Sequence, residues 1–296
     1  MDHFYIITNG HKDRDLKKTK EIEQYLQRHH KKCTVQIKEM EKEHGYTDAA
    51  RIPADVDCIL VLGGDGTLLQ AARDIIQRDI PLLGINLGTL GYLAEIEEAG
   101  MEAALDQLLE GRYEVEQRMM LTGRIIRGEI HKKRHEEKGV TGHEMEESSA
   151  LNDIAITRSG SLQIICFRIS VNGKFLNEYQ ADGVIVATPT GSTGYNLSAG
   201  GPIVEPKAEL IMITPISPHT LSTRSIILAP EDKVEVEIGS GRGEAAQQVE
   251  VNFDGSHNVT LYTGDRVAIE RAQTTTGIVK LNEASFLEIL HRKLSV

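Results

Sequence analysis

The sequence predicts an α/β domain with a doubly wound parallel sheet, joined to a β-rich, β-sandwich-like C-terminal domain. Three observations carry this. Strand and helix patterns alternate as far as Leu109. From about Arg118, short strands separated by turn residues replace them. An apolar run, Cys58-Ile59-Leu60-Val61-Leu62, ends in Gly63-Gly64-Asp65-Gly66-Thr67 and passes into a helical pattern, the strand–turn–helix joint of an open α/β sheet. The predicted partition is residues 1–117 with 276–296 for the α/β domain and 118–275 for the β-rich domain.

The elements follow in order. Phe4-Tyr5-Ile6-Ile7 reads as a strand. Leu16 to His29 has helical spacing at Leu16, Thr19, Ile22, Tyr25 and Leu26. Val35-Gln36-Ile37 and Cys58 to Leu62 are strands, and Leu68 to Gln77 a helix. Pro81 to Asn86 is a further strand, and Met101 to Leu109 a helix stopped by Gly111. In the second domain the expected strands are Leu121 to Glu129, Ala150 to Thr157, Gln163 to Val171, Gly183 to Ala187, Lys233 to Ile238, Val249 to Phe253 and Val267 to Arg271. Asn172-Gly173 and Asp254-Gly255 are hairpin signals. The polar stretch from Arg127 to Ser149 reads as a solvated hairpin extension. Its His131, His135 and His143 have no usual ligand spacing, so no metal ligands are assigned. Ser285 to Leu294 is helical and is expected to pack on the first domain.

Composition narrows the function classes. The 296 residues are 40% hydrophobic and 26% charged, as in soluble globular proteins. With 33 Lys plus Arg against 44 Asp plus Glu, the net charge of −11 argues against a nucleic-acid surface. No apolar stretch suits a membrane span, and the N-terminus lacks the features of a secretory signal. Cys33, Cys58 and Cys166 form no metal-ligand spacing and read as reduced thiols of a cytoplasmic protein.

The candidate site residues lie at the glycine-rich turns. A strand that ends in glycines before a helix N-terminus presents backbone N–H groups and a positive dipole end, which suits phosphate. Asp65 in that turn is either a helix N-cap or a group that handles a proton, metal or sugar hydroxyl. Gly64 and Gly66 allow close backbone approach, and Thr67 either caps the helix or holds a phosphate oxygen. The loop Asn86-Leu87-Gly88-Thr89-Leu90-Gly91-Tyr92 is expected beside it as a ligand wall. Asn152-Asp153 interrupts an otherwise apolar strand, where an unpaired polar residue is costly to bury. Asp182 precedes the apolar run Val184-Ile185-Val186-Ala187 as a turn residue or a ligand contact. The hydroxyl- and glycine-rich run from Thr188 to Ser198 reads as a binding loop. There is no Walker lysine and no Gly-x-Gly-x-x-Gly spacing.

In order and spacing, Gly63-Gly64-Asp65-Gly66-Thr67, Asn152-Asp153, Asp182-Gly183 and the run Thr188-Pro189-Thr190-Gly191-Ser192-Thr193-Gly194-Tyr195-Asn196-Leu197-Ser198 resemble the motifs of bacterial and archaeal NAD kinases. The resemblance spans Asp57 to Asp254; its first motif is shared with diacylglycerol, sphingosine and phosphofructokinase relatives, and the long second run is far more specific. It implies NAD held between the two domains in a homo-oligomer, a tetramer or dimer; the composition above adds the expectation of no nucleic-acid or membrane partner. The resemblance also implies Asp65 as the base facing the 2′-hydroxyl of the adenosine ribose, with Gly63, Gly64, Gly66 and Thr67 around it. Asn152, Asp153, Gln180, Asp182, Thr190, Thr193, Gly194, Tyr195, Asn196, Leu197 and Ser198 are the implied nucleotide contacts. Four positions depart from the family pattern: Asp153 stands where Glu is usual, Gly194 where many members have Ala, Gln180 where many are basic, and Ser256 where Gln is frequent.

The implied reaction is phosphoryl transfer from ATP or polyphosphate to NAD, assisted by Mg²⁺ or another divalent cation, with backbone N–H groups and the metal expected to dominate charge stabilisation. A lipid kinase is the second reading; the net charge of −11 and the dinucleotide-type loop argue against it. A silent dinucleotide sensor is the third, and a sensor gains nothing from a carboxylate near phosphates.

Overall fold

The computed structural model describes residues 1–38, 47–88, 91–94, 96–130, 147–160, 164–220, 223–241, 246–281 and 286–294. The predicted extension between Arg127 and Ser149, with its three histidines, falls mostly outside them. Two compact units form, Met1–Arg118 with Thr274–Val296, and Met119–Gln273.

In the first unit, β1 (His3–Asn9) pairs in parallel with β2 (Lys32–Lys38) on one side and β3 (Cys58–Gly63) on the other. β3 pairs in parallel with β4 (Leu82–Asn86), and β4 with the two-residue β5 (Ile96–Glu97). The order is therefore β2-β1-β3-β4. Between β1 and β2 runs α1 (Lys17–Arg28), which buries Thr19, Ile22, Tyr25 and Leu26 along one stripe. Asp13 holds its start, accepting the Lys18 N–H at 2.9 Å and the Thr19 N–H at 2.8 Å. Helix α3 (Met101–Leu109) packs on the same sheet face: Ile22, Leu26, Leu60, Leu62, Ile85, Leu105 and Leu108 share one core, and the Tyr25 hydroxyl donates to Asp106. Helix α2 (Asp65–Asp74) covers the other face, where a side chain on Gly84 would strike Leu68. With helices on both faces, this is the doubly wound α/β arrangement expected.

Strand β6 (Glu114–Ile126) leads into the second unit, starting earlier than its predicted Leu121. One sheet there has the order β13-β12-β11-β8-β15-β16, formed by β8 (Asp153–Arg158), β11 (Gly183–Ala187), β12 (Ile211–Ile216), β13 (Ile226–Leu228), β15 (Gln248–Phe253) and β16 (His257–Tyr262). Against it lie β9 (Ile165–Val171), β10 (Lys174–Ala181), β14 (Val234–Ile238) and the first part of β17 (Arg266–Lys280). The short β7 (Glu147–Ala150) pairs with β6. Inward residues of both layers, among them Phe167, Ile169, Val236 and Val267 facing Ile154, Val184, Ile213 and Phe253, make one core. This is the two-layer sandwich that alternating short strands produce. Asn172 (φ 51°) and Gly173 (φ 73°) form the two-residue β9–β10 turn, as their left-handed conformations require. Helix α4 (Tyr195–Ser198) follows a 3₁₀ turn over Thr190–Thr193, and α5 (Phe286–Leu294) ends the described chain.

Candidate active site

In the α/β unit, β1, β3 and β4 end on one rim. The Leu87 N–H donates to Gly63 O at 2.8 Å, which ties the β4 exit to the glycine turn. Gly64 (φ −136°, ψ −174°) is the N-cap of α2, and its carbonyl accepts the Thr67 N–H at 2.9 Å and the Leu68 N–H at 3.2 Å. The helix thus begins at Asp65 rather than at Leu68. The Asp65 and Gly66 N–H groups are those that a helix leaves unbonded at its start.

Asp65 is not the N-cap. Its Oδ2 accepts the Tyr92 N–H at 2.7 Å, and its Oδ1 accepts Leu93 N–H at 3.1 Å and Ala94 N–H at 3.0 Å. The loop after β4 therefore wraps the carboxylate, and a side chain on Gly91 would collide with it. An ionised carboxylate offers about four lone-pair sites, so these bonds leave one open on Oδ2. Thr67 does not cap the helix either: it is buried, and its side chain packs against Gly63. From α5, the Lys293 ammonium lies 4.0 Å from the centre of the Tyr92 ring; burial lowers its pKa, and the Asp65 charge acts in the opposite sense.

In the sandwich unit the candidate residues form two groups. Asn152 lies in the bend before β8 rather than within the strand, and Asp153 begins it. The reason is Asp254, left-handed at φ 50° in the β15–β16 turn. Its carboxylate accepts the N–H groups of Leu151 and Asn152, each at 2.8 Å, and of Asp153 at 3.2 Å. The loop after β11 docks on the same bend. Thr188 N–H donates to Asn152 O at 2.9 Å, and the Thr188 hydroxyl donates to Leu151 O at 2.6 Å. Gly191 lies so close to the Asn152 backbone that a β-carbon would overlap it. A β-carbon on Gly194 would sit 3.4 Å from Asn152 Nδ2 and 3.8 Å from Asp153 Oδ2.

The structure therefore brings Asn152 and Asp153 together with Gly191 and Gly194, and Thr190 and Thr193 lie on the same 3₁₀ turn. Two polar atoms in this group, Asn152 Oδ1 and Thr190 Oγ1, are buried without a hydrogen-bond partner among the described residues. Tyr195 is exposed beside them, with Leu197 and Ser198 on the same helical turn. Asn196 is committed inside the protein: its Nδ2 donates to Ser192 O at 3.2 Å and Pro202 O at 3.0 Å, and its Oδ1 accepts the Thr214 hydroxyl at 2.7 Å. Its side chain orders the loop. Burial, and then the Asp254 charge, push the Asp153 carboxyl up to about 7.

Gln180 and Asp182 form the other group. Ala187 pairs with Asp153 and Gly183 with Thr157, so β11 separates Asp182 from the Asn152 cluster. Five strand residues span roughly 17 Å. Asp182 pairs with Arg158, Nε to Oδ1 3.2 Å, and the Gln180 side chain is exposed on β10.

Three residues of this geometry escape a motif search. Asp254 was visible only as a hairpin signal, and Gly91 only as part of a loop. Lys12 belongs to no glycine-rich run; its one signal is its place just after an N-terminal strand of a parallel sheet. A β-carbon on Gly64 would lie 2.7 Å from its Nζ.

Known proteins resemble this chain in sequence and fold. Residues 5–113 match the ATP-NAD kinase N-terminal domain, and residues 151–281 the ATP-NAD kinase C-terminal domain. The NAD kinase of Lachnoclostridium phytofermentans is 46% identical over 293 residues, covering 99% of both chains. That of Agathobacter rectalis is 45% identical over 295 residues, again covering 99% of each. Among solved structures, an NAD kinase from Archaeoglobus fulgidus in complex with ATP matches with a TM-score of 0.74 and 26% identity, covering 99% of both chains. Yeast NADH kinase complexed with NADH matches with a TM-score of 0.80 over 100% of this chain and 88% of its own, at 23% identity, a likeness of fold. These similarities favour neither the lipid-kinase nor the sensor reading.

Proposed function

This chain belongs to the NAD kinase family, and we propose that its α/β unit holds the phosphoryl donor while Asp65 takes the proton from the 2′-hydroxyl of the adenosine ribose of NAD. The observation that carries the reading is the placement of Asp65. Three backbone N–H groups fix its carboxylate at the start of α2, one lone pair stays open, and the Asp65 and Gly66 N–H groups lie on the same turn. A ribose hydroxyl attacks phosphorus well only if its proton has somewhere to go, and an anchored carboxylate supplies that place. The unbonded N–H groups stabilise charge on the transferring phosphoryl group without having to reorganise.

NAD is assigned to the Asn152, Asp153 and Thr190–Ser198 cluster of the sandwich unit, whose orphaned Asn152 Oδ1 and Thr190 Oγ1 await partners. ATP is the proposed donor, as the Archaeoglobus relative was solved with ATP; polyphosphate is the alternative to be assayed. The divalent cation is proposed to arrive on the donor's phosphates as part of the substrate. Such a cation would neutralise charge on the donor's phosphates. Gln180 and Asp182, at the far end of β11 from Asn152, are assigned to the NAD of a second copy in a homo-oligomer. A cytoplasmic location fits the three free thiols, Cys33, Cys58 and Cys166.

Purified protein incubated with NAD⁺, ATP and Mg²⁺ is expected to yield NADP⁺, identified by mass spectrometry of the product. No phosphorylated product with ATP or polyphosphate, under Mg²⁺ or Mn²⁺, would refute the reading.

A further inference from the structure

We infer that Lys12 grips the phosphoryl donor, its ammonium contacting the donor's phosphates at the N-terminus of α2; this rests on the α/β unit being the donor site. The order β2-β1-β3-β4 makes the chain leave β1 and β3 in opposite directions, with α1 on one sheet face and α2 on the other. In open α/β sheets ligands bind where such connections part, outside the carboxyl ends of the two strands. Lys12 and Gly64 flank that point. The Lys12 N–H donates to Asn9 O at 3.0 Å, fixing the lysine just past β1. From there its ammonium reaches over both glycine turns: it lies 2.7 Å from where a β-carbon on Gly64 would be, and 4.0 Å from the same point on Gly88.

Two further observations point to a ligand. Lys12 is exposed and makes no ion pair among the described residues, although Asp and Glu outnumber Lys and Arg by 44 to 33. Beneath it, Asn86 is 1% exposed, and its Oδ1 has no hydrogen-bond partner among the described residues. That oxygen lies 4.0 Å from the same Gly64 point, and a buried acceptor left alone is costly unless a donor serves it; phosphate oxygens only accept, so the fitting donor is a water carried in with the hydrated, cation-bound phosphates. A free ammonium, a helix start and side-chain-free turns together suit a polyphosphate chain. The charge of Lys12 also offsets the repulsion that Asp65 exerts on such a chain.

The test compares wild type, Lys12→Gln and Lys12→Arg in steady-state kinetics and in calorimetric titration with Mg·ATP. Lys12→Gln is expected to raise the KM for ATP and weaken Mg·ATP binding about tenfold or more, the scale of one lost charge-assisted contact. The KM for NAD⁺ should stay within about twofold on the same argument, and Lys12→Arg should fall between. Gly64→Ala, whose methyl group displaces the ammonium, should reproduce the effect. Because Lys12 is exposed and its side chain makes no bond among the described residues, Lys12→Gln should melt with the wild type. Unchanged ATP affinity in Lys12→Gln, or a rise confined to the KM for NAD⁺, overturns the inference. A wild type that forms no NADP⁺ refutes the kinase reading instead, so the two failures are distinguishable.

Discussion

Asp65 and Asp254 do the same local work: each stands at a turn and gathers three backbone N–H groups from a loop that would otherwise be loose. Asp65→Asn cannot accept the proton and also turns an NH2 toward a backbone N–H that the carboxylate now accepts, so kcat should fall by at least about 10²–10⁴, the usual worth of a general base. NAD⁺ affinity, measured by calorimetry, should change little, because its assigned contacts lie in the other unit; near-wild-type turnover would make Asp65 only a loop anchor. Asp153 makes a separate prediction. Burial raises its folded-state pKa from 3.8 to about 7. Between those values the folded protein binds a proton that the unfolded chain does not, so stability falls as pH rises through this window and levels off above it. Asp153→Asn removes this penalty. In urea titrations it should be more stable than wild type near pH 8, by on the order of a few kcal/mol, and the gain should vanish towards pH 4. The same variant should bind NAD⁺ more weakly, the exchange of stability for function expected of a binding residue.

Among the elements, the α/β alternation and most sandwich strands were legible because each carries its own period. Elements with a weak signal escape the sequence reading: β12 contains Pro215, and β16 (His257–Tyr262) brings only Val259 and Leu261 to its core face, a short alternation in a polar run. Strand β17 runs to Lys280, well beyond its predicted Arg271, because its later residues pair elsewhere: Ile278 lies against Leu82 of β4. No local pattern reports a partner that distant in sequence. The candidate site divides in the same way. The glycine turns were visible as motifs, whereas Lys12 and Gly91 gain meaning only when the sheet order sets their loops beside Gly64 and Asp65. Gly91 tests that point. A methyl group there overlaps the Asp65 carboxylate, so Gly91→Ala should displace the acid or break its bonds to Tyr92, Leu93 and Ala94. A misplaced reacting group costs about 10²-fold, so kcat should drop by that order with NAD⁺ affinity held. Full activity in Gly91→Ala would show that the anchored geometry of Asp65 does not matter for turnover.

At the scale of the whole molecule, the separation within the sandwich unit bears on assembly. Asn152 and Asp153 lie at one end of β8 and β11, and Asp182 lies at the other, roughly 17 Å away along the strands. One copy of this unit cannot present both ends to the same ribose. With Asp182 assigned to the NAD of a second copy, as proposed, each active site needs two chains. The unit also exposes Phe175 on β10 (64%) and Ile227 on β13 (54%), apolar side chains that an association surface would cover. The expected outcome is a homo-oligomer by light scattering, with specific activity falling on dilution through its dissociation range. Asp182→Ala should then lose NAD⁺ affinity, and Asn152→Ala should lose it as well. Mixing the two variants should restore part of the activity, because a mixed pair contains one site with both residues intact. A monomer with undiminished activity, or a mixture no better than its components, would leave Asp182 with its Arg158 ion pair alone and no part in NAD binding.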